Sequence, residues 1–220
     1  MTNTIIFDLD GTLLNTLEDL TDSVNFALQF FHLPKRTMQE VRSFVGDGVE
    51  LLMERAVAGA LPEEKKKECL ATFKRHYSKN MNCKTKPYDG ILDLIEVLLE
   101  KDCRIAIVSN KFDSAVKELN ADYFKGMFPV AIGSSDIIEK KPAPDSVLEA
   151  LRQLGSRLEN ALYVGDSDID VITARNAGLP CVGVTWGFRD ERLLRSMGAE
   201  YIIHTPEQLL SILNRRNMVC

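Results

Sequence analysis

Short, continuously hydrophobic runs recur along the chain and predict the strands of a parallel sheet. They lack the alternation of a strand with one face in water, so we expect both of their faces to be covered. The runs span residues 4–7, 104–108, 130–132, 161–164, 181–184 and 201–203. Helical patterns lie between the later runs, at residues 91–100, 114–119, 145–154, 169–176 and 206–213. Strands that alternate with helices predict an α/β fold, a Rossmann-like doubly wound parallel sheet.

The stretch after the first strand breaks this alternation. It contains four successive helical patterns and no convincing strand pattern, at residues 17–31, 38–44, 49–58 and 62–79. We therefore predict an α/β core, residues 1–14 and 84–220, that is interrupted by an inserted helical domain, residues 15–83.

Composition narrows the range of functions. The chain has 220 residues and a formal net charge of -5, without a large Lys/Arg cluster, which disfavours nucleic-acid binding. No apolar run approaches the roughly 20 residues that span a bilayer, and no signal-peptide pattern opens the chain. The cysteines are odd in number and form no CxxC pair, which favours reduced thiols: Cys69, Cys83, Cys103, Cys181 and Cys220. We expect a cytoplasmic monomer or homodimer with no membrane partner.

Acidic residues follow two of the predicted strands. Asp8 and Asp10 come after the first strand and Asp166 after the fourth. In open parallel sheets, ligands bind beyond the carboxyl ends of the strands, so these acids should converge. Two like charges about 4 Å apart repel by roughly 4 kcal/mol at an effective dielectric of 20, which calls for a counter-ion. Oxygen ligands without histidine or cysteine favour Mg²⁺.

Candidate phosphate donors lie at the same predicted edge. Ser109 and Asn110 follow the second strand, with Lys111 next to them, and Lys141 precedes a helix. The side chains of Ser109, Asn110 and Lys141, and the backbone N–H groups around Gly11, could donate to phosphate oxygens. A carboxylate beside a bound phosphate could act as a nucleophile and form an aspartyl-phosphate.

Each of these segments also has a purely structural interpretation. Asp8 and Asp10 fit a turn after a strand, and Ser109 and Asn110 fit a helix cap. Lys141 could be a surface lysine. The run SDID at residues 167–170 matches a helix N-terminus whose acids complement the helix dipole. Asp166 precedes that cap and is not explained by it.

Four segments together resemble the motifs of the haloacid dehalogenase superfamily, and within it the phosphoglycolate-phosphatase-like members. They are FDLDGTL at residues 7–13, VSN at 108–110, KPAPD at 141–145 and GDSDID at 165–170. Each is only moderately specific alone, but all four occur in order, each beside a predicted strand or helix start. The resemblance covers essentially the whole chain.

The resemblance implies a role for each motif residue. Asp8 would be the nucleophile and a metal ligand. Asp10 would act as general acid and then as general base, and would ligate the metal through its backbone carbonyl. Asp166 would be a metal ligand, with Asp170 supporting the metal directly or through water. Ser109 and Lys141 would hold the phosphate.

The resemblance also makes the helical insertion a cap over the active site. The loop of Gly46, Asp47 and Gly48 would face the substrate, although a plain turn between helices fits as well. Arg55 on the next helix could face ligand or solvent. Asn15 stands where the family commonly has an acid, which weakens the subfamily placement. Trp186 follows a strand near the rim, and we expect it to pack.

The expected function is a magnesium-dependent phosphatase that acts on a small phosphorylated metabolite, with phosphoglycolate as the lead substrate. Family members that cleave carbon–halogen or phosphonate bonds lack an acid two positions after the nucleophile, so Asp10 favours phosphate esters. A sugar phosphomutase of the β-phosphoglucomutase type is the main alternative. A non-catalytic binding protein and a pyrophosphatase are less favoured, and sugar phosphates and nucleotides stay open as substrates.

Overall fold

Strands and helices alternate through most of the chain, as the hydrophobic pattern predicts. The computed structural model describes residues 3–217, and Cys220 lies outside them. The strands are β1 (Thr4–Phe7), β2 (Leu14–Asn15), β3 (Lys86–Pro87), β4 (Arg104–Phe112), β5 (Val130–Ser134), β6 (Ala161–Gly165), β7 (Cys181–Val184) and β8 (Tyr201–Ile203). The helices are α1 (Leu17–Phe30), α2 (Met38–Phe44), α3 (Val49–Val57), α4 (Glu63–Asn80), α5 (Ile91–Glu100), α6 (Asp113–Phe124), α7 (Asp145–Leu154), α8 (Asp168–Ala177), α9 (Glu191–Met197) and α10 (Gln208–Asn217).

Six strands form one parallel sheet in the order β5-β4-β1-β6-β7-β8. The sheet confirms the predicted doubly wound α/β fold. Strand β1 lies at its centre, where Phe7 is in register with Ile107 of β4 and Val164 of β6. The strand order reverses at β1, which makes its carboxyl end the topological switch point, the usual ligand site of such sheets.

Hydrophobic side chains cover both faces of the sheet. On β1, Ile5 and Phe7 belong to a core shared with α5, α6, α10 and the inserted helices, whereas Ile6 belongs to a core shared with α7, α8 and α9. All three side chains are at most 1% exposed. Complete burial of such a side chain contributes about 1.5–3 kcal/mol, which explains why the strands read as continuous rather than alternating apolar runs.

The insertion, meaning α1–α4, packs around its own apolar side chains, chiefly with α1 against α4. Its helices start where the sequence indicates. Thr37 caps α2, and the Glu40 side chain accepts from the Thr37 backbone in a capping box. No helix within residues 3–217 is long and apolar enough to cross a membrane. The division into a core domain and an inserted domain stays a prediction.

Several boundaries differ from the sequence prediction. Strand β4 continues to Phe112, past an irregularity after Val108, instead of ending at residue 108. Helix α9 was not predicted, because in its seven residues only Leu194 is buried and the periodic signal is weak. A short 3₁₀ helix, Leu158–Asn160, was not predicted either.

A two-stranded antiparallel ribbon joins the insertion to the core, although no strand was predicted there. Leu14 pairs with Pro87 and Asn15 pairs with Lys86. Two-residue strands carry too little pattern to be read from sequence, since their pairing depends on the two linkers meeting.

The buried carboxylate of Asp19 fastens the two linkers. Its oxygens accept the backbone N–H of Lys84 at 3.0 Å and that of Thr85 at 2.9 Å. Asp19 lies in the first turn of α1, so one side chain holds the chain entering the insertion to the chain leaving it.

We predict that Asp19→Ala lowers the free energy of unfolding by about 2–3 kcal/mol, because it leaves two backbone donors at the linker without their charged acceptor. Urea denaturation measures this. Asp22→Ala is the matched control: Asp22 lies on the same helix and pairs with the exposed Lys84 ammonium, so its loss should change stability by about 0.5 kcal/mol or less. Equal effects of the two variants would contradict the role of Asp19.

Candidate active site

The ammonium of Lys141 joins two acidic segments at the switch point of the sheet. Asp8 directly follows β1, and its Oδ1 accepts from Lys141 Nζ at 2.7 Å. Asp170 on α8 accepts from the same nitrogen through its own Oδ1, also at 2.7 Å. The hydroxyl of Tyr163 on β6 lies 3.1 Å from the ammonium. Lys141 is therefore a buried hub and not a surface lysine.

Asp170 takes part in two structures at once. Its Oδ2 accepts from the Ser167 backbone N–H at 3.0 Å and from the Ser167 hydroxyl at 2.6 Å, in the capping box that starts α8. Its Oδ1 accepts from Lys141 and Tyr163. The helix-cap interpretation of this segment is thus correct, and the cap itself aims Asp170 at Lys141.

Burial and mutual repulsion shift the protonation equilibria of this group. Burial, and then the charge of Asp170, raise the pKa of Asp8 well above its usual range, with Lys141 opposing them. The same two causes raise the pKa of Asp166 to about 7. Burial alone would lower the pKa of Lys141, but Asp170 and Asp8 outweigh it and raise that pKa. The carboxylates thus carry more negative charge than one lysine balances.

Asp166 sits in a tight backbone cradle. Its Oδ2 accepts the N–H of Phe188 at 2.6 Å, and its Oδ1 accepts the Thr12 hydroxyl at 3.2 Å. A Cβ at Gly11 would lie 2.4 Å from Asp166 Oδ2, and one at Gly187 would lie 2.4 Å from Asp166 Cβ. Both glycines are required by this close approach.

The predicted phosphate-donor role of Gly11 needs correction. Its N–H donates to the carbonyl of Leu14 at 2.9 Å, and its φ is +87°. The turn after β1 uses this donor internally, because its left-handed backbone folds the N–H back on the loop. Gly11 therefore provides space for Asp166 rather than a hydrogen bond to phosphate.

The carboxylates fit the predicted cation. Asp8, Asp166 and Asp170 each offer an oxygen, and these oxygens all lie within 4.8 Å of one another. Their donors are hard oxygens, and their excess negative charge requires compensation, which suits Mg²⁺. The carboxylate of Asp10 bonds elsewhere, and its predicted metal contact through the backbone carbonyl stays a prediction.

Asp10 is held separately from this group. Its Oδ1 accepts the Thr16 hydroxyl at 2.6 Å, and its Oδ2 accepts from Lys111 Nζ at 2.9 Å. The side chain of Asp10 is 12% exposed, and that of Lys111 is 1% exposed. Two acids two residues apart thus have different partners, Lys141 for Asp8 and Lys111 for Asp10.

Ser109 and Asn110 lie at the same rim but differ in their contacts. Ser109 lines the cavity, and its hydroxyl accepts the Lys111 N–H at 3.3 Å. The Asn110 amide donates to the carbonyls of Gly46 and Lys141, each at 3.0 Å, and accepts the Lys141 N–H at 2.8 Å. The side-chain amide of Asn110 thus positions the Lys141 loop, and the predicted phosphate contact of Asn110 stays a prediction.

The loop between α2 and α3 faces the rim, as the resemblance predicts. Gly46 and Gly48 line the cavity. Asp47 instead pairs with Arg55 at 2.7 Å, and Arg55 also donates to the Phe44 carbonyl at 2.9 Å. Asp47 is therefore turned toward its own loop and not toward the cavity, and Arg55 braces that loop.

Two arginines, here called the arginine clasp, connect the insertion to the core reciprocally. Arg42 on α2 donates to the carbonyls of Phe188 at 2.9 Å and Gly187 at 2.7 Å. Arg189 donates to the carbonyls of Arg42 at 2.9 Å and Val45 at 2.7 Å. Arg42 therefore binds the backbone just before Arg189, and Arg189 binds the backbone of Arg42 and of nearby Val45.

An ion pair closes another side of the rim. Glu50 on α3 pairs with Lys140 at 2.6 Å and with Lys74 of α4 at 2.8 Å. Burial raises the pKa of Glu50, but hydrogen bonds from both lysines outweigh it and lower that pKa to about 2. Lys140 thus links the segment before α7 to the insertion.

These contacts enclose a small cavity of about 40 Å³. Its polar side is formed by Asp8, Asp10, Ser109, Asn110, Lys111, Lys141, Asp166, Ser167 and Arg189. Its opposite side is largely apolar and comes from the insertion: Leu20, Val45, Gly46, Gly48, Val49 and Leu52. Three aspartates and two lysines thus line a cavity with an apolar opposite wall, and Asp8 and Asp10 each pair with a different lysine. This arrangement suits acid–base chemistry on a small molecule.

Sequence reasoning missed several residues of this site. Lys111 directly follows Ser109 and Asn110, and a positively charged residue next to these predicted site residues could have indicated its place in the site. Arg189 lines the cavity and follows the Trp186 segment. Tyr163 gave no signal, because a tyrosine within a buried strand is indistinguishable from core.

Trp186 packs as expected, with its indole N–H donating to the Thr12 carbonyl at 3.0 Å, and Asn15 lies in the linker ribbon.

Comparisons with known proteins agree on one family. A family model described as haloacid dehalogenase-like hydrolase matches residues 5–184. A protein named phosphoglycolate phosphatase from Aquifex aeolicus is 32% identical over 211 residues, 96% of each chain. A protein named pyrophosphatase PpaX from Halalkalibacterium halodurans is 28% identical over 96% of each chain. A crystal structure from Lactobacillus delbrueckii subsp. bulgaricus has a TM-score of 0.91 and 35% identity, covering 95% of this chain and 97% of that one.

We predict that Gly11→Ala lowers the free energy of unfolding by more than the cost of placing an alanine in a left-handed backbone conformation. Any side chain at φ +87° costs about 1–2 kcal/mol, and the overlap of the new Cβ with Asp166 adds about 1–3 kcal/mol. Chemical denaturation of the metal-free protein measures the difference in the free energy of unfolding.

Gly126→Ala is the matched control for this substitution. Gly126 has nearly the same φ, +81°, but a Cβ there would have no heavy atom within 4 Å. It should therefore show only the backbone cost. If both variants lost equal stability, the close packing of Gly11 on Asp166 would not matter.

Proposed function

Since the chain belongs to the haloacid dehalogenase-like hydrolase family, as its four motifs predict, we propose that it is a magnesium-dependent phosphatase. It hydrolyses a small phosphate monoester through an aspartyl-phosphate, with phosphoglycolate as the lead substrate. One observation carries this proposal. Asp8, held by Lys141, and Asp10, held by Lys111, line one small cavity beside the Asp166 carboxylate.

Asp8 is the nucleophile of the proposed reaction. One of its carboxylate oxygens forms a bond to phosphorus as the bond from phosphorus to the leaving oxygen breaks. The ammonium of Lys141, which contacts Asp8 directly, stabilises the negative charge on the phosphoryl group. The Ser109 hydroxyl lines the same cavity and can donate to a phosphate oxygen.

Asp10 moves the protons in both half-reactions. It gives a proton to the leaving alkoxide in the first, and it takes one from the water that attacks the aspartyl-phosphate in the second. Hydrolysis then returns Asp8 and inorganic phosphate. The separation of Asp10 from the buried Asp8 group lets one acid attack while the other transfers protons.

Asp8 and Asp166 would hold the metal, with Asp170 nearby and the Asp10 carbonyl as the predicted further ligand. When bound, Mg²⁺ would supply positive charge that offsets the carboxylates and the phosphate oxygens. The raised pKa values of Asp8 and Asp166 and the clustering of their oxygens support such a site.

The insertion acts in this proposal as a closing cap. The arginine clasp and the Glu50–Lys140 pair hold it against the rim, and the Asn110 amide bonds the Gly46 loop. Closure excludes water from the cavity and strengthens the electrostatic interactions within it. Substrate entry requires these contacts to open.

We predict that Asp8→Asn abolishes magnesium-dependent release of phosphate, with a loss of at least about 10³-fold, because an amide is a poor nucleophile. Release of nitrophenol from p-nitrophenyl phosphate, with and without added Mg²⁺, measures this.

Asp145→Asn is the matched control, because Asp145 is an exposed acid at the start of α7, close in sequence to Lys141. It should keep wild-type activity. Substantial activity in Asp8→Asn would rule out the aspartyl-phosphate.

The small cavity predicts a preference for small leaving groups. With Mg²⁺, kcat/KM for 2-phosphoglycolate should exceed that for hexose 6-phosphates at least about ten-fold, because the apolar wall of the insertion closes over the reacting groups and leaves little space for a larger leaving group. Phosphate release across a set of phosphorylated metabolites measures this preference.

Pyrophosphate belongs in the same set, because one relative is named a pyrophosphatase. A higher kcat/KM for pyrophosphate would favour that alternative over the monoester phosphatase. Interconversion of a hexose phosphate without phosphate release would favour the mutase.

A further inference from the structure

The two carboxylate oxygens of Asp10 are held from different sides. Thr16, completely buried as the residue before α1, donates its hydroxyl to Oδ1 at 2.6 Å. Lys111, which lines the cavity together with Asp10, donates to Oδ2 at 2.9 Å. Both oxygens of the carboxyl group that Asp10 presents to the cavity are therefore hydrogen-bonded.

The ammonium of Lys111 is itself fixed in place. It lies 4.6 Å from the centre of the Tyr77 ring, on α4 of the insertion. That ring stacks on Phe73 and meets Phe112 edge-on, so it offers a rigid face to the cation. A buried ammonium is costly unless it is paired, and the carboxylate that pairs with this one is Asp10.

We propose that Lys111 is a positioning residue for Asp10, a role that rests on the proposed phosphatase function. The terminal torsion of an aspartate is broad, so one hydrogen bond from Thr16 would leave the carboxyl group free to turn about Cβ–Cγ. The second bond, from Lys111, fixes its plane. With both oxygens held, the Asp10 carboxyl group keeps one orientation in the cavity toward the oxygen that must gain or lose a proton.

Position matters here because proton transfer needs a short, aligned hydrogen bond. Asp10 must meet two different partners, the leaving oxygen and later the attacking water, at the same point in the cavity. A small misplacement of such a group lowers the rate strongly without altering substrate binding. Lys111 therefore influences kcat rather than KM.

Lys111 could instead bind an anionic group of the substrate, and the two roles differ in their coupling to Asp10. A residue that acts through Asp10 has no further effect once Asp10 is gone, whereas a substrate-binding residue keeps its effect. The decisive measurement is a double-mutant cycle with Lys111→Met, Asp10→Asn and the double variant.

We expect Asp10→Asn to lower kcat by about 10²-fold to 10⁴-fold, and Lys111→Met to lower kcat by at least about ten-fold with KM within about two-fold of wild type. The double variant should match Asp10→Asn within about three-fold. Phosphate release from 2-phosphoglycolate with Mg²⁺ gives these values. If the two losses multiply, or if Lys111→Met raises KM and leaves kcat unchanged, the positioning role is overturned.

A leaving-group comparison gives a second readout that a purely structural role would not move. Phenol leaves with more difficulty than nitrophenol without a proton donor, so loss of Asp10 function should slow phenyl phosphate more than p-nitrophenyl phosphate. First-turnover phenol release, with enzyme in excess, isolates this half-reaction. We expect Lys111→Met and Asp10→Asn each to raise the ratio of the p-nitrophenyl phosphate rate to the phenyl phosphate rate at least about ten-fold. An unchanged ratio in Lys111→Met would overturn the proposal.

Two further variants keep the test decisive. Lys117→Met removes an exposed lysine of α6 that pairs with Asp113 one turn earlier on the same helix, and this variant should keep wild-type kinetics. If Lys111→Met does not fold, as judged by its unfolding transition, Lys111→Gln takes its place with the same expected non-additivity. Absence of magnesium-dependent activity in the wild type would refute the proposed function itself, whereas multiplicative losses in an active wild-type background refute only the role of Lys111.

Discussion

The site depends on one buried ammonium, that of Lys141, between the carboxylates of Asp8 and Asp170. Burial penalises all three charges, and their attraction offsets that cost only while each group keeps its partners. The surroundings maintain this geometry: Asn110 holds the backbone of Lys141, Ser167 holds Asp170, and Asp8 directly follows β1. The helix cap of α8 is therefore part of the electrostatics of the site, and not an alternative to it.

The insertion completes the cavity through backbone acceptors more than through side-chain pairs. The arginine clasp binds carbonyls at the ends of loops, where no strand or helix partner is required, and Glu50 adds a partly exposed ion pair. Guanidinium donors to carbonyls keep both charges at the rim while the apolar residues of the insertion face inward. The clasp contacts are hydrogen bonds to backbone carbonyls at the rim, where Phe188 of the core and Val45 of the insertion belong to the same hydrophobic cluster.

Sequence reasoning predicted the sheet strands to within a few residues, apart from the extension of β4, and located the four motifs. It could not identify contacts between residues that lie far apart along the chain. Asn110 is a predicted phosphate donor because its type and position allow it, and its amide also contacts Gly46 and Lys141, 64 and 31 residues away. Gly11 was expected to offer an N–H, but the turn uses that group and the glycine makes room for Asp166.

By itself the sequence determined the α/β class, the run of helices after the first strand, and the acids that follow β1 and β6. The spacing of hydrophobic residues and the residue types of turns are local properties, so they can be read without the fold. Only the tertiary structure decided which lysine pairs with which aspartate. Asp8 and Asp10 are two residues apart, yet Asp8 meets Lys141, 133 residues away, and Asp10 meets Lys111, 101 residues away. Such pairings follow from the strand order and from burial, which together bring distant charges to one rim and make each charge depend on its neighbour.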